Sequence, residues 1–227
     1  NVLNAAMKQG VDRVILTSSV TTIFGSEREK TIYNSSDWAD SKGKNANPYS
    51  KSKILAEQAA WKFCIEHSVN LTTIHPSLVL GPALESDYGS SLEAIIKILR
   101  RELPWIPNFG FEIVDVRDTA SLHRIAMESS TAIGKRLIAS QDFMWFKTIA
   151  EIIDRSYPEK KIPTRVMPDF LTRGLSVFVP ELRQITKDLG REKKVSKEES
   201  IALGWAPRRS EDTIIDTVNS LISLGFA

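Results

Sequence analysis

The chain has 227 residues, of which 42% are hydrophobic and 26% charged, a composition typical of a folded globular protein and not of a disordered one. Thirty lysines and arginines stand against 28 aspartates and glutamates, and the formal charge of +2 is spread along the chain, so we expect no nucleic-acid partner. The single cysteine, Cys64, excludes a disulfide framework, a cysteine-based zinc site and a CxxC redox pair.

The sequence shows neither a membrane-spanning run nor a secretory leader. No stretch approaches the roughly 20 apolar residues that cross a bilayer, so we expect a cytoplasmic protein without a membrane partner. The chain begins with Asn1 rather than Met, and NVLNAAMKQG spaces its apolar positions like the second half of an amphipathic helix that ends at Gly10. We therefore expect an upstream portion of the protein to precede this chain.

Helical and strand patterns alternate along the chain. The elements expected first are the helix ending at Gly10, a buried strand at 12–19 (DRVILTSS), a polar loop at 26–48, a helix from about Tyr49 to His67, and a strand at 70–82 that runs into a loop at Pro76. Later elements are helices at 90–103, 117–128, 146–157 and 210–225, the first and last of these capped by serines, and strands at 111–116 and 134–140. This order predicts a doubly wound α/β sheet.

The segment NPYSKSKILAEQAAW (47–61) places Tyr49 four residues before Lys53 on the expected helix. Residues at this spacing project from one helix face, about 5–6 Å apart at their β carbons. A phenol has an ordinary pKa of about 10, and a nearby ammonium lowers it by favouring the phenolate. The pair can therefore act as a proton donor with its activating cation, or it can be two polar residues on a solvated helix face.

The surrounding pattern favours the catalytic interpretation. Ser19 ends a predicted parallel strand, where open α/β sheets bind their ligands, and a serine there can donate a hydrogen bond to an oxygen that gains charge. It can also be an ordinary strand-end serine. A second Tyr-x-x-x-Lys match, Tyr157 with Lys161, is interrupted by Pro158 and follows no hydroxyl-ended strand, so we interpret it as a chance match.

Five motifs in this order, RVILTSSV, NPYSKSKILAEQAAW, TIHPSLVLGP, IVDVRDTA and LGWAPRRSEDTIIDTVNSL, resemble the extended short-chain dehydrogenase/reductases. Within that family they are similar to the branch of dihydroflavonol reductase, cinnamoyl-CoA reductase and the methylglyoxal or aldehyde reductases. The resemblance implies the C-terminal part of a doubly wound Rossmann-type parallel sheet with a smaller, mostly helical substrate domain. It assigns the second half of the dinucleotide-binding domain to 1–82, with 111–140 returning to it in part, and mainly the substrate-binding or lid region and the closing helix to 83–227.

The resemblance also implies roles for individual residues. Tyr49 would protonate the carbonyl oxygen, Lys53 would lower the tyrosine pKa and hold the nicotinamide ribose, and Ser19, the last hydroxyl of the TSS run, would bind the carbonyl. The cofactor would also be contacted by Pro76, Ser77, Leu78 and Val79, which match the stretch against the nicotinamide ring, and by Ser91, which matches a residue near the phosphates. The free N–H groups at the N-terminus of a helix favour anions, although Ser91 can equally be an ordinary helix cap.

The activity implied is NADPH-dependent reduction of an aldehyde or ketone, with NAD(H) as the alternative cofactor. The partners implied are a small-molecule carbonyl substrate and a second copy in a homodimer that packs through the Tyr49 helix. Two alternatives stay open: a nucleotide-sugar epimerase or dehydratase of the same fold, and a non-catalytic cofactor-sensing module or truncated remnant.

The chain departs from the family at its beginning. None of its 11 glycines forms the G-x-x-G-x-x-G turn that grips the pyrophosphate, so we expect the first half of the dinucleotide-binding domain to be absent and the strand ending at Ser19 to be left as an edge. We expect this chain alone to bind cofactor poorly. His67, His75 and His123 lie far apart in sequence, and no metal site is expected.

Overall fold

The computed structural model describes residues 1–24, 30–43, 46–86 and 88–226. Its helices, in chain order, are α1 (Val2–Lys8), α2 (Thr21–Phe24), α3 (Pro48–Glu66), α4 (Ser90–Leu99), α5 (Val116–Glu128), α6 (Phe146–Ser156), α7 (Asp169–Leu175), α8 (Pro180–Ile185), α9 (Glu198–Ala202) and α10 (Ser210–Ser223). Its strands are β1 (Arg13–Thr17), β2 (Ile32–Tyr33), β3 (Asn70–Pro76), β4 (Leu78–Leu80), β5 (Ile106–Pro107), β6 (Gly110–Asp115), β7 (Arg136–Ala139), β8 (Asp142–Trp145), β9 (Val166–Met167) and β10 (Lys194–Val195).

The chain divides into two compact units, the first of which comprises residues 1–77, 117–140 and 194–207. Its main sheet has three parallel strands in the order β1-β3-β7. The central strand β3 is buried from Leu71 to Pro76, as expected of a parallel strand covered on both faces, whereas the edge strand β1 is half-buried, so the burial expected for the strand at 12–19 is wrong. The predicted α/β class with a parallel sheet is confirmed.

Within the described residues, two clusters of buried side chains contribute to the core of the first unit. One contains Val20, Ile23, Tyr33, Ile138 and Val195, and the other contains Ala60, Cys64 and Leu71. The second cluster places α3 on the sheet, since Ala60 and Cys64 lie four residues apart on one helix face and Leu71 belongs to β3. The C-terminal half of α3 thus packs on the sheet.

The second unit comprises residues 78–116, 141–193 and 208–227. Its sheet has the order β4-β6-β8, in which β4 and β6 are parallel and β6 and β8 antiparallel. Its apolar core is built from the inward faces of α4, α6 and α10 against β4 and β6; the fully or nearly fully buried members include Leu80, Ile95, Ile113, Ile149, Ile153, Ile214 and Val218. The two-stranded pair β5-β9 completes the unit.

The boundaries of the units differ from the expected division at residue 82. The strand expected at 70–82 is interrupted at Ser77, whose N–H donates to the Ala139 carbonyl, so β3 belongs to the first unit and β4 to the second. Residues 111–116 lie in the second unit, and 194–207 lie in the first. Which unit binds which molecule stays a prediction.

Two expected serine caps are wrong. Gly89 and Arg209 are the N-cap residues of α4 and α10, and each serine is the first helical residue instead. Ser210 donates its hydroxyl to Asp142 at 2.8 Å, a contact that sequence spacing does not reveal. α4 also ends earlier than expected, because Arg101 takes a left-handed φ of 57°.

The expected polar loop at 26–48 falls partly outside the described residues, and the part that is described includes the short strand β2. No helix in the described ranges has the length and apolar character needed to cross a bilayer.

Candidate active site

Ser19 lies just beyond the carboxyl end of β1. The parallel hydrogen bonding between β1 and β3 continues past the strand: the N–H of Ser18 donates to the Ile74 carbonyl at 2.7 Å and that of Val20 to the Pro76 carbonyl at 3.1 Å. Ser19 is therefore fixed beside the end of the central strand. This is the edge at which parallel sheets bind ligands.

Tyr49 and Lys53 occupy the first two turns of α3. The helix begins here because Asn47 is the N-cap and accepts a hydrogen bond from the Ser50 N–H at 2.8 Å, while Pro48 stands at the first helical position, where its missing N–H costs nothing. Tyr49 is 56% exposed and Lys53 is partly exposed. Both side chains can therefore reach a molecule outside the protein core.

The turn after β1 is joined directly to the first turn of α3. The hydroxyls of Thr21 and Ser50 share a hydrogen bond of 2.7 Å, and Ser50 is the immediate neighbour of Tyr49. The Ser19 hydroxyl accepts a hydrogen bond from the Thr21 N–H at 3.3 Å. This contact uses an oxygen lone pair, so it does not occupy the hydroxyl proton.

Ser18 and Ser19 have different surroundings. Both residues are buried, and the Ser18 hydroxyl donates to Oε2 of Glu57 at 2.6 Å. That proton is committed to a carboxylate inside the protein, whereas the Ser19 proton is not used by the contact to Thr21. The geometry supports the choice of Ser19 as the candidate catalytic serine.

Glu57 is a site-supporting residue that the sequence analysis missed. It lies four residues after Lys53 on the same face of α3 but is only 1% exposed. Oε1 accepts from Nε of Arg136 at 2.8 Å, and this guanidinium also lies 3.8 Å from the centre of the Trp38 ring. Burial raises the pKa of Glu57, but the interaction with His75 when that ring is protonated, the hydrogen bonds from Arg136 and Ser18 and the charge of Arg136 outweigh burial, so the net pKa is below its usual value.

His75 is buried beneath the Ser19 turn with no exposed surface. Its Nε2 lies 2.8 Å from the Thr73 hydroxyl and 3.3 Å from Oε1 of Glu57. Burial lowers its pKa from 6.5 to about 4, against the opposing charge of Glu57. The ring is therefore neutral near pH 7.

This depressed pKa predicts a specific loss of stability in mild acid. In the unfolded chain His75 takes up a proton near its ordinary pKa of 6.5, whereas in the folded protein it does so only near pH 4. The unfolded state thus binds more protons between these values, and the free energy of unfolding falls as the pH is lowered from 6.5 to 4, by about 3 kcal/mol in total. Urea titrations at a series of pH values measure this slope.

A matched pair of variants isolates the contribution of His75. His75→Asn removes the titrating ring and is expected to flatten the pH dependence between pH 6.5 and 4. His67→Gln removes an exposed histidine at the end of α3 and is expected to leave the slope unchanged. An unaltered slope in His75→Asn would contradict the assignment.

The residues assigned to the cofactor are divided between the two units. Pro76 and Ser77 end the first segment of the first unit. Leu78 and Val79, in β4, and Ser91, the second residue of α4, belong to the second unit. The Ser77 hydroxyl is buried and has no hydrogen-bond partner within the described residues. A buried polar atom of this kind fits a site where a ligand supplies the missing partner.

In the second Tyr-x-x-x-Lys match, the tyrosine makes a structural contact and the lysine lies outside a helix. The Tyr157 hydroxyl donates to Oδ1 of Asn219 at 2.6 Å, and Lys161 takes a left-handed φ of 50° beyond the end of α6. Burial, with the nearby Asp216 and Glu159, raises the pKa of Tyr157. A tyrosine that transfers protons near neutral pH needs a lowered pKa, so this shift is in the opposite direction.

The two aspartates of the motif IVDVRDTA also take part in structural contacts. Asp115 is fully buried and bound by Arg208 at 2.7 Å, and the Asp118 carbonyl accepts from the Trp205 indole at 2.8 Å. Across the ranges that the structure describes, no three His, Cys, Asp or Glu side chains group in a way that could hold a metal ion.

Known proteins similar to this chain include plant reductases. A cinnamoyl-CoA reductase of Medicago truncatula is 31% identical over 233 residues, covering 100% of this chain and 66% of that protein. A dihydroflavonol 4-reductase of Arabidopsis thaliana is 31% identical over 170 residues, covering 72% of this chain and 44% of that protein. The chain thus spans two-thirds or less of the length of these curated relatives.

A solved structure gives the same picture. The yeast methylglyoxal/isovaleraldehyde reductase complexed with NADPH matches with a TM-score of 0.77 at 25% identity, covering 100% of this chain and 69% of that one. The predicted kinship with the extended short-chain dehydrogenase/reductases, in the branch of these reductases, is confirmed. The NAD dependent epimerase/dehydratase family matches residues 1–138, more than half of the 227 residues, and this chain belongs to that family.

Proposed function

We propose that this chain is the catalytic part of an NADP(H)-dependent reductase that converts an aldehyde or ketone into an alcohol. The observation that carries the proposal is the hydrogen bond of 2.7 Å between Thr21 and Ser50, which ties the Ser19 turn to the helix turn that bears Tyr49. It supports a site in which a hydroxyl donor, a phenol and an ammonium act on one small molecule.

The chemistry that we assign to the chain follows from these side chains. The Ser19 hydroxyl donates a hydrogen bond to the substrate carbonyl oxygen and stabilises the negative charge that grows there during reduction. Tyr49 gives its phenolic proton to the same oxygen, which completes the alcohol. Lys53, one helix turn farther, stabilises the phenolate that is left behind.

One residue assigned to the cofactor, Ser77, has a buried hydroxyl that fits a ligand. When bound, NADPH supplies the hydride that reduces the carbonyl carbon. Lys53 would hold the ribose next to the nicotinamide, the segment 76–79 would lie against its ring, and Ser91 would lie near the phosphates. The buried Ser77 hydroxyl offers a hydrogen bond to a polar group of such a ligand, and the yeast reductase matched above was solved with NADPH, which favours NADP(H) over NAD(H).

The second candidate is a nucleotide-sugar epimerase or dehydratase, which the family description includes. The reductase is favoured because the similar plant proteins are reductases of carbonyl compounds by name. A non-catalytic module is less well supported, since the chain retains Ser19, Tyr49 and Lys53 in one segment of the fold.

We also propose that the protein works in the cytoplasm as a homodimer. Leu55 and Ile65, two apolar residues of α3, are 55% and 75% exposed, and burying them against a second copy of α3 would remove this apolar surface from water.

The decisive experiment follows NADPH oxidation by the natural protein, expressed from its complete coding sequence, with a panel of small aldehydes and ketones. Its intact mass is measured beside that of the 227-residue chain. We expect NADPH consumption matched by alcohol formation in the natural protein and little turnover in this chain alone, which has no glycine-rich pyrophosphate turn. Conversion of nucleotide sugars without net NADPH oxidation would favour the epimerase, and no turnover of either kind would overturn the proposal.

A further inference from the structure

The backbone carbonyl of Ser19 is held from inside the protein by two buried side chains. The Thr22 hydroxyl donates to it at 2.8 Å, and Nδ1 of His75 lies 3.2 Å away. Thr22 and His75 are both 0% exposed. The peptide that carries the candidate catalytic serine is therefore anchored on its inner side.

We assign the proton of the His75 ring to Nδ1 because of its contact with Ser19. A carbonyl oxygen can only accept, so the contact to Ser19 requires a proton on Nδ1. Nε2 lies 2.8 Å from the Thr73 hydroxyl and 3.3 Å from Oε1 of Glu57, and in this tautomer it accepts from Thr73. With this tautomer, the single N–H of the ring points to the Ser19 carbonyl, with the Thr22 hydroxyl oxygen also near at 3.1 Å.

The same buried network holds the rest of the turn. Arg136 reaches the Thr22 hydroxyl at 3.3 Å and binds Glu57 at 2.8 Å, and Glu57 accepts from the Ser18 hydroxyl at 2.6 Å. Two consecutive residues of the turn, Ser18 through its side chain and Ser19 through its carbonyl, thus depend on side chains of β3, β7 and α3. The network is placed to fix the direction of the Ser19 side chain.

We propose that His75 is a positioning residue: by donating from Nδ1 to the Ser19 carbonyl, it aims the Ser19 hydroxyl at the substrate oxygen. This inference rests on the proposed function, since it requires Ser19 to act on a substrate. His75 touches neither substrate nor cofactor in this scheme. A shift of a reacting group by about 1 Å can lower a rate by about 100-fold. If the Ser19 turn loses its contact with His75, kcat should therefore fall by a measurable factor.

The test compares three substitutions of His75 in the complete natural protein. His75→Asn keeps an N–H donor near the position of Nδ1, His75→Gln keeps a polar group near that of Nε2, and His75→Leu keeps neither. We expect Leu and Gln to lower kcat by about 10- to 100-fold with little change in the KM for NADPH, and Asn to retain most of the activity. If the Leu variant does not fold, the kcat values of the Asn and Gln variants still test whether an N–H donor at the position of Nδ1 is needed.

A structural control comes from the same strand. Thr72 is fully buried, and its hydroxyl donates to the Ala132 carbonyl at 2.7 Å, away from Ser19. Thr72→Val is expected to lower the melting temperature and leave kcat of the folded protein unchanged. If the three His75 variants change only the melting temperature, as Thr72→Val does, the positioning role is overturned.

A double-mutant cycle with Ser19→Ala separates this inference from the proposed function. Once the Ser19 hydroxyl is gone, His75→Leu should cost no further activity, because the group that it positions is missing. Additive losses would overturn the positioning role and leave the reductase intact. A Ser19→Ala variant with full activity would instead overturn the assigned role of Ser19, and with it this inference.

Discussion

Replacing Tyr49 by phenylalanine is expected to lower kcat for carbonyl reduction by about 100-fold or more, because the substitution removes the proton donor and nothing else. The phenolic ring stays, and the start of α3 depends on Asn47 and Pro48 rather than on this side chain. Since Tyr49 is 56% exposed, the loss of its hydroxyl leaves no buried group unpaired. Both the melting temperature and the affinity for NADPH should therefore stay close to those of the parent.

The chain supplies its own matched control in the second Tyr-x-x-x-Lys segment. Tyr157→Phe removes the same atom from the same residue type, but that hydroxyl donates to Asn219 and serves no catalytic role in our proposal. We expect unchanged kcat and a stability loss of about 1 kcal/mol. Steady-state kinetics and thermal melts of both variants make the comparison. Full turnover in Tyr49→Phe would rule out this tyrosine as the proton donor.

The candidate site was predictable from the sequence as far as it depends on local pattern. The spacing of Tyr49 and Lys53 puts them on one helix face, and the apolar run before Ser19 makes a strand that is followed by hydroxyls. Each of these features is set by residues within a few positions of one another. Such short-range patterns do not depend on how the rest of the chain folds.

The support beneath the site was not predictable, because its partners are distant in sequence. Glu57 and Arg136 are 79 residues apart and meet only after β3 and β7 pair. Nothing local marks Glu57 as buried, since the apolar residues of α3 form no clear stripe on one face. In the sequence His75 is one of three histidines that lie far apart. Its contact with the Ser19 carbonyl depends on the parallel pairing of β1 with β3.

The two units of the structure also depend on pairings between distant segments. Strand β8, the segment DFMW, is short and mostly half-buried, so it shows no alternating pattern that sequence could reveal. It becomes a strand by antiparallel pairing with β6. Likewise, residues 194–207 return to the first unit through the pairing of β10 with β2, two strands of two residues each. Tertiary context, not intrinsic preference, forms these elements.

The largest stability effect is expected from breaking the buried pair of Glu57 and Arg136. Arg136→Met would leave the Glu57 carboxylate, which is 1% exposed, without its main counter-charge. Removing one partner of a buried ion pair costs about 3–5 kcal/mol, a large share of the 5–15 kcal/mol that holds a typical domain folded. Urea unfolding of the Arg136→Met variant should therefore show a midpoint far below that of the parent.

The double variant Glu57→Gln/Arg136→Met tests whether the cost comes from the uncompensated charge. With the carboxylate neutralised, a substantial part of the lost stability should return, because an amide is far cheaper to bury than an unpaired anion. The exposed pair of Arg124 and Glu128, with side chains 62% and 57% exposed, gives the reference: Arg124→Gln should cost about 0.3–0.5 kcal/mol. If the double variant is less stable than Arg136→Met alone, the cost lies in the lost contacts of Arg136 with Ser35, Asp37 and Trp38, and the charge argument fails.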